Sequence, residues 1–476
     1  MELTIIVGAI LTFFEVAGII SALDAIMKTR TSQGAIAWAV SLVTMPFIVV
    51  PLYWIFGRNK FRGYVKLRNS ADTQARQVID RIKKIFRQRD VIDDAAQYRN
   101  AVALTNMSDM PMTRFNRADL LIDGRETFES IFAGIDSARD YILIQFFIVH
   151  DDILGKRLKQ RLVRQARAGV RVYFLFDEIG CHKLSNVYLD EMRKAGIEAL
   201  PFGTTRGRTN KFQLNFRNHR KIVVVDGRSA WVGGHNVGDE YLGESDRFGP
   251  WRDTHVKVTG PAVQGAQYSF LEDWYWAGAT IPELNWIPDA DNTEGILSQV
   301  VASGPADSLD TCGLMFVHAF NSARKRVWIA SPYFVPDRQT LTALQLAALR
   351  GVDVRILLPE KPDHLMVYLA SFSYYGETLP VGIEIYRYTS GFMHQKVMLV
   401  DDSVAGVGTA NFDNRSFRLN FEITMIFFDN LFAGKVEKML ENDFANSRRV
   451  TMADVNERFI GFKVLTRMAR LMSPIL

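Results

Sequence analysis

Beyond residue 110 the chain repeats itself, and the repeat limits its architecture before any other property is weighed. "DSARDYILIQFFIV" (136–149) is echoed by "NSARKRVWIASPYFV" (321–335), each a helix end running into an apolar strand. "RAGVRVYFLFD" (167–177) is echoed by "LRGVDVRILLP" (349–359), where Gly169 and Gly351 stop a helix before a β-rich run. "AGIEALPF" (195–202) parallels "VGIEIYRY" (381–388). The order strand, helix, strand, short strand predicts an α/β unit with a mixed sheet in each half. The period is far too long for a solenoid. Two like halves predict a pseudo-two-fold pair with equivalent edges facing each other.

The repeat ends in chemistry. "NHRKIVVVD" (218–226) returns as "MHQKVMLVD" (393–401), so His-x-Lys-x4-Asp occurs at His219, Lys221, Asp226 and again at His394, Lys396, Asp401. "GGHN" (233–236) and "GTAN" (408–411) follow, ending in Asn236 and Asn411. Residues two apart on an extended segment share a face, so each His and Lys converge. Paired halves then bring two of each to one cleft. Histidine serves as nucleophile or as general acid/base near neutral pH. Lysine and asparagine supply fixed donors suited to phosphoryl oxygens. A lone histidine beside a strand is usually a satisfied polar residue, but two matched copies make coincidence untenable. Asp226 and Asp401 are grouped with the motif's catalytic set, although a structural role is the stronger reading of them. The chain has no Walker loop, no HExxH and no aspartate cluster for Mg²⁺, so no metal or cofactor is expected. Phosphoryl chemistry would rest on the side-chain cations.

The N-terminus predicts a membrane anchor. Residues 3–23 carry one charge, Glu15, and residues 34–56 carry none. Each run is long enough to cross a hydrocarbon core, and the link between them forces a hairpin. Trp38, Tyr53 and Trp54 sit near the ends of the second run, as interfacial aromatics do. No basic residue precedes the first run, which argues against a cleaved signal peptide. Glu15 is costly at mid-membrane and would be eased by facing a neighbouring helix. Residues 58–89 hold eleven Lys and Arg against Asp72 and Asp80, whereas the link holds Lys28 and Arg30. The positive-inside rule therefore predicts both termini in the cytoplasm. The same basic run suits anionic headgroups or a solvated helix face equally well.

Composition adds little. The formal net charge is +5 over 476 residues, and 48% are apolar. Cys181 and Cys312 have no metal-ligand spacing and argue against a disulfide scaffold. The C-terminal stretch 457–476 places Phe459, Phe462, Leu465, Met468 and Met472 at helical spacing with four interspersed basic residues. It predicts an amphipathic helix, either lying in a membrane interface or packed on the second half.

On these motifs the chain resembles the phospholipase D superfamily, whose mark is HxKx4Dx6G[GS]xN, matched by His219–Asn236 and, with Thr409 in the [GS] place, by His394–Asn411. Within it, the N-terminal spans and "WRDTHVKVTGPAV" (251–263) resemble the bacterial cardiolipin synthase family. The resemblance implies a transmembrane hairpin (1–57), a basic juxtamembrane linker (58–110), two α/β sandwich domains (111–290 and 291–450) and a C-terminal helix (451–476). It implies phosphatidyl transfer between two phosphatidylglycerols through a phosphatidyl-histidine. His219 would attack, His394 would serve as acid and then base, and Lys221, Lys396, Asn236 and Asn411 would hold the phosphoryl oxygens. A downstream carboxylate would orient each histidine. Glu422 matches in the second half, whereas the first half departs and offers Asp253. The implied partners are anionic phospholipids and the inner membrane of a bacterium, with no nucleic acid. Oligomeric state and the choice of nucleophile stay open. The rival readings are a membrane-bound hydrolase, a transferase taking phosphatidylethanolamine as donor, and a nuclease, for which the basic run would be a phosphate-backbone patch.

Overall fold

A computed structural model of the chain describes residues 2–29, 31–57, 60–61, 63–65, 99–108, 110–203, 215–278, 280–287 and 294–476. Apart from Lys60, the basic residues of 58–89 lie outside these, as does the boundary expected at 290–291. The described residues fall into two compact units, one drawn from Met1–Ser70 with Gly203–Phe216, the other from Ala71–Phe202 with Arg217–Leu476.

In the first unit, α1 (Glu2–Lys28) is long and apolar enough to cross a membrane. The second expected span is not one helix. It is α2 (Ser32–Thr44) followed by α3 (Pro46–Phe56), with Met45 between them at φ −135° and ψ 54°. Pro46 explains the break: it has no N–H for a helical bond, and its ring disfavours helical geometry in the preceding residue. Thr31 caps α2 by accepting from Gly34 N at 3.2 Å. A Cβ on Gly18 would stand 2.5 Å from the Leu42 carbonyl oxygen, so the glycine lets α1 and α2 approach closely. Tyr53 Oη donates to Asp24 at 2.9 Å and Trp54 Nε1 to Ser21 Oγ at 3.1 Å, tying α3 to α1. Glu15 does not turn onto a neighbouring helix; it is exposed on α1.

The second unit carries the repeat. Its first half comprises β1 (Thr113–Ile122), β2 (Tyr141–Phe146), β3 (Arg171–Asp177), β4 (Glu198–Phe202), β5 (Arg217–Asn218), β6 (Ile222–Val225), β7 (Ser229–Gly233), β8 (Trp251–Arg252) and β9 (Thr254–Thr259). The second comprises β10 (Ile296–Ser303), β11 (Arg326–Ala330), β12 (Phe334–Val335), β13 (Asp353–Pro359), β14 (Glu384–Tyr388), β15 (Phe392–Met393), β16 (Val397–Val400), β17 (Val404–Gly408), β18 (Phe412–Asp413), β19 (Asn420–Phe428) and β20 (Ser447–Arg449). One sheet runs through both, in the order β20-β14-β13-β11-β16-β17-β19-β10-β1-β9-β7-β6-β2-β3-β4. Read outward from the antiparallel β1–β10 pair, the two directions match for seven strands, which is the predicted pseudo-symmetry, and β20 adds an edge strand without a counterpart among the described residues of the first half.

Each half has its own apolar core between sheet and helices, one including Phe128, Ile144, Phe174 and Trp231, the other Phe316, Ile356, Phe412 and Ile426. The helices Ile153–Arg167 and Arg338–Leu349 end where predicted, at Gly169 (φ +95°) and Gly351 (φ +86°). The C-terminal stretch forms Met452–Asn456 and Ile460–Leu471.

The motif aspartates belong to this framework and stand apart from the histidines, at the other end of β6 and β16. Asp226 (φ +54°) opens the β6–β7 loop, and Asp401 (φ +52°) the β16–β17 loop. The Asp226 carboxylate accepts from the backbone N–H of Arg139, Asp140 and Tyr141, each at 2.9 Å. Asp401 does the same for Arg324, Lys325 and Arg326, at 3.1, 2.7 and 3.1 Å. Each therefore clamps a hairpin to the start of the neighbouring strand, which supports the structural reading of Asp226 and Asp401 over their grouping with the catalytic set. Asp226→Ala or Asp401→Ala should remove an acceptor from three amides and cost about 1–3 kcal/mol, read as a lower thermal midpoint. Turnover per folded molecule should stay within a few-fold of the parent; a collapse of kcat with an unchanged midpoint would contradict this assignment.

Candidate active site

The two motifs meet where the halves exchange short strands. β5 pairs in parallel with β19, and β8 with β15. His219 N donates to Phe421 O at 2.9 Å, and His394 N to Arg252 O at 2.8 Å, so each histidine hangs from the backbone of the opposite half.

The side chains cross over as well. His219 Nδ1 lies 3.1 Å from the Glu422 carboxylate and 3.2 Å from Thr409 O. His394 Nδ1 lies 2.8 Å from Asp253 Oδ2. The carboxylate of each half thus orients the histidine of the other. With Nδ1 engaged, Nε2 of each ring is left for the reaction.

Asp253 is the true counterpart of Glu422. Gly233 pairs with His255 across β7–β9, and Gly408 with Thr424 across β17–β19, so each carboxylate stands two residues before the partner of its motif glycine. The difference in residue has a steric cause. A Cβ on Gly234 would lie 2.0 Å from Asp253 Oδ1, so the shorter carboxylate packs directly over a glycine. In the second half Thr409 replaces that glycine, and its hydroxyl donates to the longer Glu422.

The surroundings are buried. Lys221 is fully buried, Lys396 nearly so, and each histidine is only 8% exposed. Lys221 Nζ donates to His219 O at 2.8 Å, and Lys396 Nζ lies 2.9 Å from His394 Nδ1. Burial pushes Lys221 down to about 7 and Lys396 to about 8, partly offset by Glu422 and Asp253. Burial also lowers His219 to about 4, against the pull of Glu422, and holds His394 well below its usual range, aided by Lys396 and Lys221. Burial alone would raise Glu422, but His219, Lys221 and the Thr409 hydroxyl reverse that, and its carboxyl sits below the usual range. In the free site both imidazoles are therefore neutral.

The asparagines flank this set. Asn236 Oδ1 accepts from Ile148 N at 3.1 Å and its Nδ2 donates to Tyr241 Oη at 3.2 Å. Asn411 is tied through its backbone N–H to Ser416 Oγ, which donates on to Glu422; its buried Oδ1 has no partner. Among the described residues no group of three or more His, Cys, Asp and Glu is arranged to hold a metal ion.

Sequence reasoning missed three features. Arg220, between the first His and Lys, donates to Asp273 at 2.9 Å and to Glu422 O at 3.1 Å. Arg252 makes a two-pronged pair with Asp443 at 2.8 Å, and Gln395, the middle residue of the second motif, joins it. Buried His235 and His255 meet through their Nδ1 atoms at 3.2 Å, behind Asp253.

A phospholipase D-type fold with paired His-Lys motifs is what this geometry defines, and comparison with known proteins agrees. The family model described as "Cardiolipin synthase, PLD-like domain" matches residues 131–247 and 316–444, and "Phospholipase_D-nuclease N-terminal" matches 16–58. Cardiolipin synthase A of Pseudomonas putida is 47% identical, over 98% of each chain. Cardiolipin synthase A of Pseudomonas aeruginosa is 48% identical, over 100% of this chain and 97% of that one. A phosphatidylserine synthase from Haemophilus influenzae shares the fold, with a TM-score of 0.60 at 15% identity, over 79% of this chain and 100% of that structure. The chain belongs to the cardiolipin synthase family of the phospholipase D superfamily. It is a phosphatidyltransferase of phospholipid biosynthesis, associated with the membrane.

Two outcomes follow from the site. Glu422→Gln and Asp253→Asn should each cut kcat about 10²–10⁴-fold, because the neutral partner no longer fixes the tautomer or steadies the imidazolium. Unchanged kcat in either would break the cross-orientation. Lys221→Met should be inactive but more stable. The folded lysine has a pKa of about 7 against an ordinary 10.5, so its charge burdens the fold fully below pH 7 and ceases to as pH rises to 10.5. The gain in thermal midpoint should be largest at or below pH 7 and shrink towards pH 10; a pH-independent gain would contradict this.

Proposed function

We propose that the enzyme transfers a phosphatidyl group from one phosphatidylglycerol to the terminal hydroxyl of another, giving cardiolipin and glycerol. His219 Nε2 attacks phosphorus, the bond to the glycerol oxygen breaks, and His394 protonates the departing glycerol. The phosphatidyl group remains on His219. His394 then takes the proton from the second lipid's hydroxyl, whose oxygen displaces His219 and regenerates it. Lys221, Lys396, Asn236 and Asn411 carry the negative charge on the phosphoryl oxygens. The observation that supports this most is the pair of crossed carboxylate–histidine contacts in one buried site with two lysines.

The neutral His219 of the free enzyme is ready to attack without losing a proton. His394 must be protonated to act as acid. An arriving phosphodiester anion offsets the two ammonium charges that depress it, so substrate binding itself favours that protonation. The burial of both histidines supports transfer over hydrolysis, since a lipid hydroxyl delivered from the bilayer meets less competition from water.

The anchor is read as α1 crossing in one direction and the kinked α2–α3 pair returning, with both termini and the repeat on the cytoplasmic side; the length and apolarity of α1 and the basic run after residue 57 support this reading. The lipid partner is anionic, and the basic run after the anchor suits headgroups better than nucleic acid.

Purified enzyme in vesicles of phosphatidylglycerol alone, without added metal, tests the reaction by mass spectrometry of its products. Cardiolipin with an equal amount of glycerol is expected. Phosphatidic acid as sole product would overturn the transfer, and activity that appears only with phosphatidylethanolamine would overturn the donor. His219→Ala and His394→Ala should each abolish cardiolipin formation, and normal turnover in either would exclude a shared cleft. The profile of kcat/KM should fall as pH rises, because His394, held below its usual range, must gain a proton to act as acid and because Lys221 and Lys396 lose theirs at about 7 and about 8; a profile that rises through this range would contradict these roles.

A further inference from the structure

The helix Ile460–Leu471 is apolar on two faces, and the fold covers one of them. Its inner face packs on the helix Leu365–Thr378: Ala469 and Thr466 are 1% and 7% exposed, and Phe462 meets Phe372 edge-on at 5.3 Å. Arg470 pairs with Glu377 and lies 4.4 Å over the Tyr374 ring, which fixes the helix's rotation. That rotation turns Ile460, Val464, Leu465, Met468 and Leu471 outward, from 49% to 79% exposed. At 100° per residue these five fall within one sector, beside the buried face. Exposed Lys463 and Arg467 border it, and the helix has no acidic residue.

The neighbouring helix leads to the site. Leu365–Thr378 begins just after Asp363, whose carboxylate accepts from Tyr333 Oη at 2.6 Å and whose charge acts on both His394 and Lys396. Leu365 and Met366, which open that helix, are exposed as well.

We propose that the outward stripe of Ile460–Leu471 lies in the headgroup layer of an anionic bilayer, as a membrane contact additional to α1, and holds the Asp363 side of the cleft at the lipid surface. A basic border without carboxylates complements anionic headgroups, and the apolar sector is wide enough to enter the acyl boundary. A second copy fits worse, because a symmetric contact would set the same basic border against itself. The inference rests on the lipid-substrate reading for its catalytic consequence alone, since the contact itself is measured without turnover.

Cys181 and Cys312 are buried, so single cysteines introduced at exposed positions can carry an environment-sensitive fluorophore on the full chain. Val464→Cys, Met468→Cys and Leu471→Cys would be placed in nanodiscs of equal parts phosphatidylcholine and phosphatidylglycerol, one copy per disc, with exposed Leu309→Cys as control. The three labels should be quenched by spin-labelled lipid and shielded from iodide, more so than in phosphatidylcholine alone, while the control remains open to iodide. Equal iodide access at all four positions would overturn the proposal. So would shielding that appears only in discs holding two copies. The double variant Val464→Asp/Met468→Asp should lose about tenfold in bilayer turnover through lost effective concentration. It should match the parent on short-chain phosphatidylglycerol in detergent. An equal loss in both settings would overturn the stripe's catalytic consequence while leaving the quenching result to decide the contact.

Discussion

Each motif histidine meets a carboxylate from the other half, and neither half holds both members of a pair without its partner. Glu422 reaches His219 and Asp253 reaches His394 only because β5 docks beside β19 and β8 beside β15. The shared sheet, the β1–β10 seam and the Arg252–Asp443 and Arg220–Asp273 pairs all serve to hold that exchange in register. Burying charge is tolerable only when it is paired and fully bonded. Here two lysines face two carboxylates in a buried site, and the depressed lysine values record the cost that remains. A phosphodiester monoanion between the lysines, as the proposed reaction places one, would lower that cost.

The same exchange explains how two copies of one unit have diverged without losing function. In the first half a glycine at 234 makes room for a short carboxylate; in the second, Thr409 fills the space and bonds to a longer one. Both solutions put an oxygen on Nδ1 of the opposite histidine. The motif aspartates have not diverged, because each does a backbone task that no other side chain nearby performs: three amides at the head of a strand need one acceptor, at a residue of positive φ.

Much of this was legible in the sequence. The repeat spacing carried the symmetry, Gly169 and Gly351 marked the helix stops, and His219, Lys221, His394 and Lys396 fell together as their matched positions required. The swap was not legible. Glu422 and Asp253 each lie in sequence downstream of the motif in their own half, and nothing local records which histidine a side chain faces once two halves interlock. The break at Met45 was written in Pro46, but an apolar count over 34–56 outvoted it. The aspartates looked chemical because they recur with the motif, although recurrence reflects the hairpin as much as the reaction. Arg220 and Gln395 were hidden for a related reason: the x of His-x-Lys looks free, yet its side chain alternates to the other face and there meets Asp273 or Asp443.

The direction of the proposed reaction has a physical cause that the site need not supply. Donor and acceptor are the same lipid, and the leaving group and the attacking group are both glycerol hydroxyls, so one phosphodiester replaces another of nearly equal energy. One cleft and one acid/base, His394, therefore serve both steps, each the near-reverse of the other. A site of this kind gains no advantage from favouring one half-reaction. What separates the products is solubility: glycerol leaves for water, whereas both lipids stay in the bilayer. Keeping the acceptor at the site while glycerol escapes is then the enzyme's main task, and it follows from how the cleft meets the membrane more than from the chemistry at phosphorus.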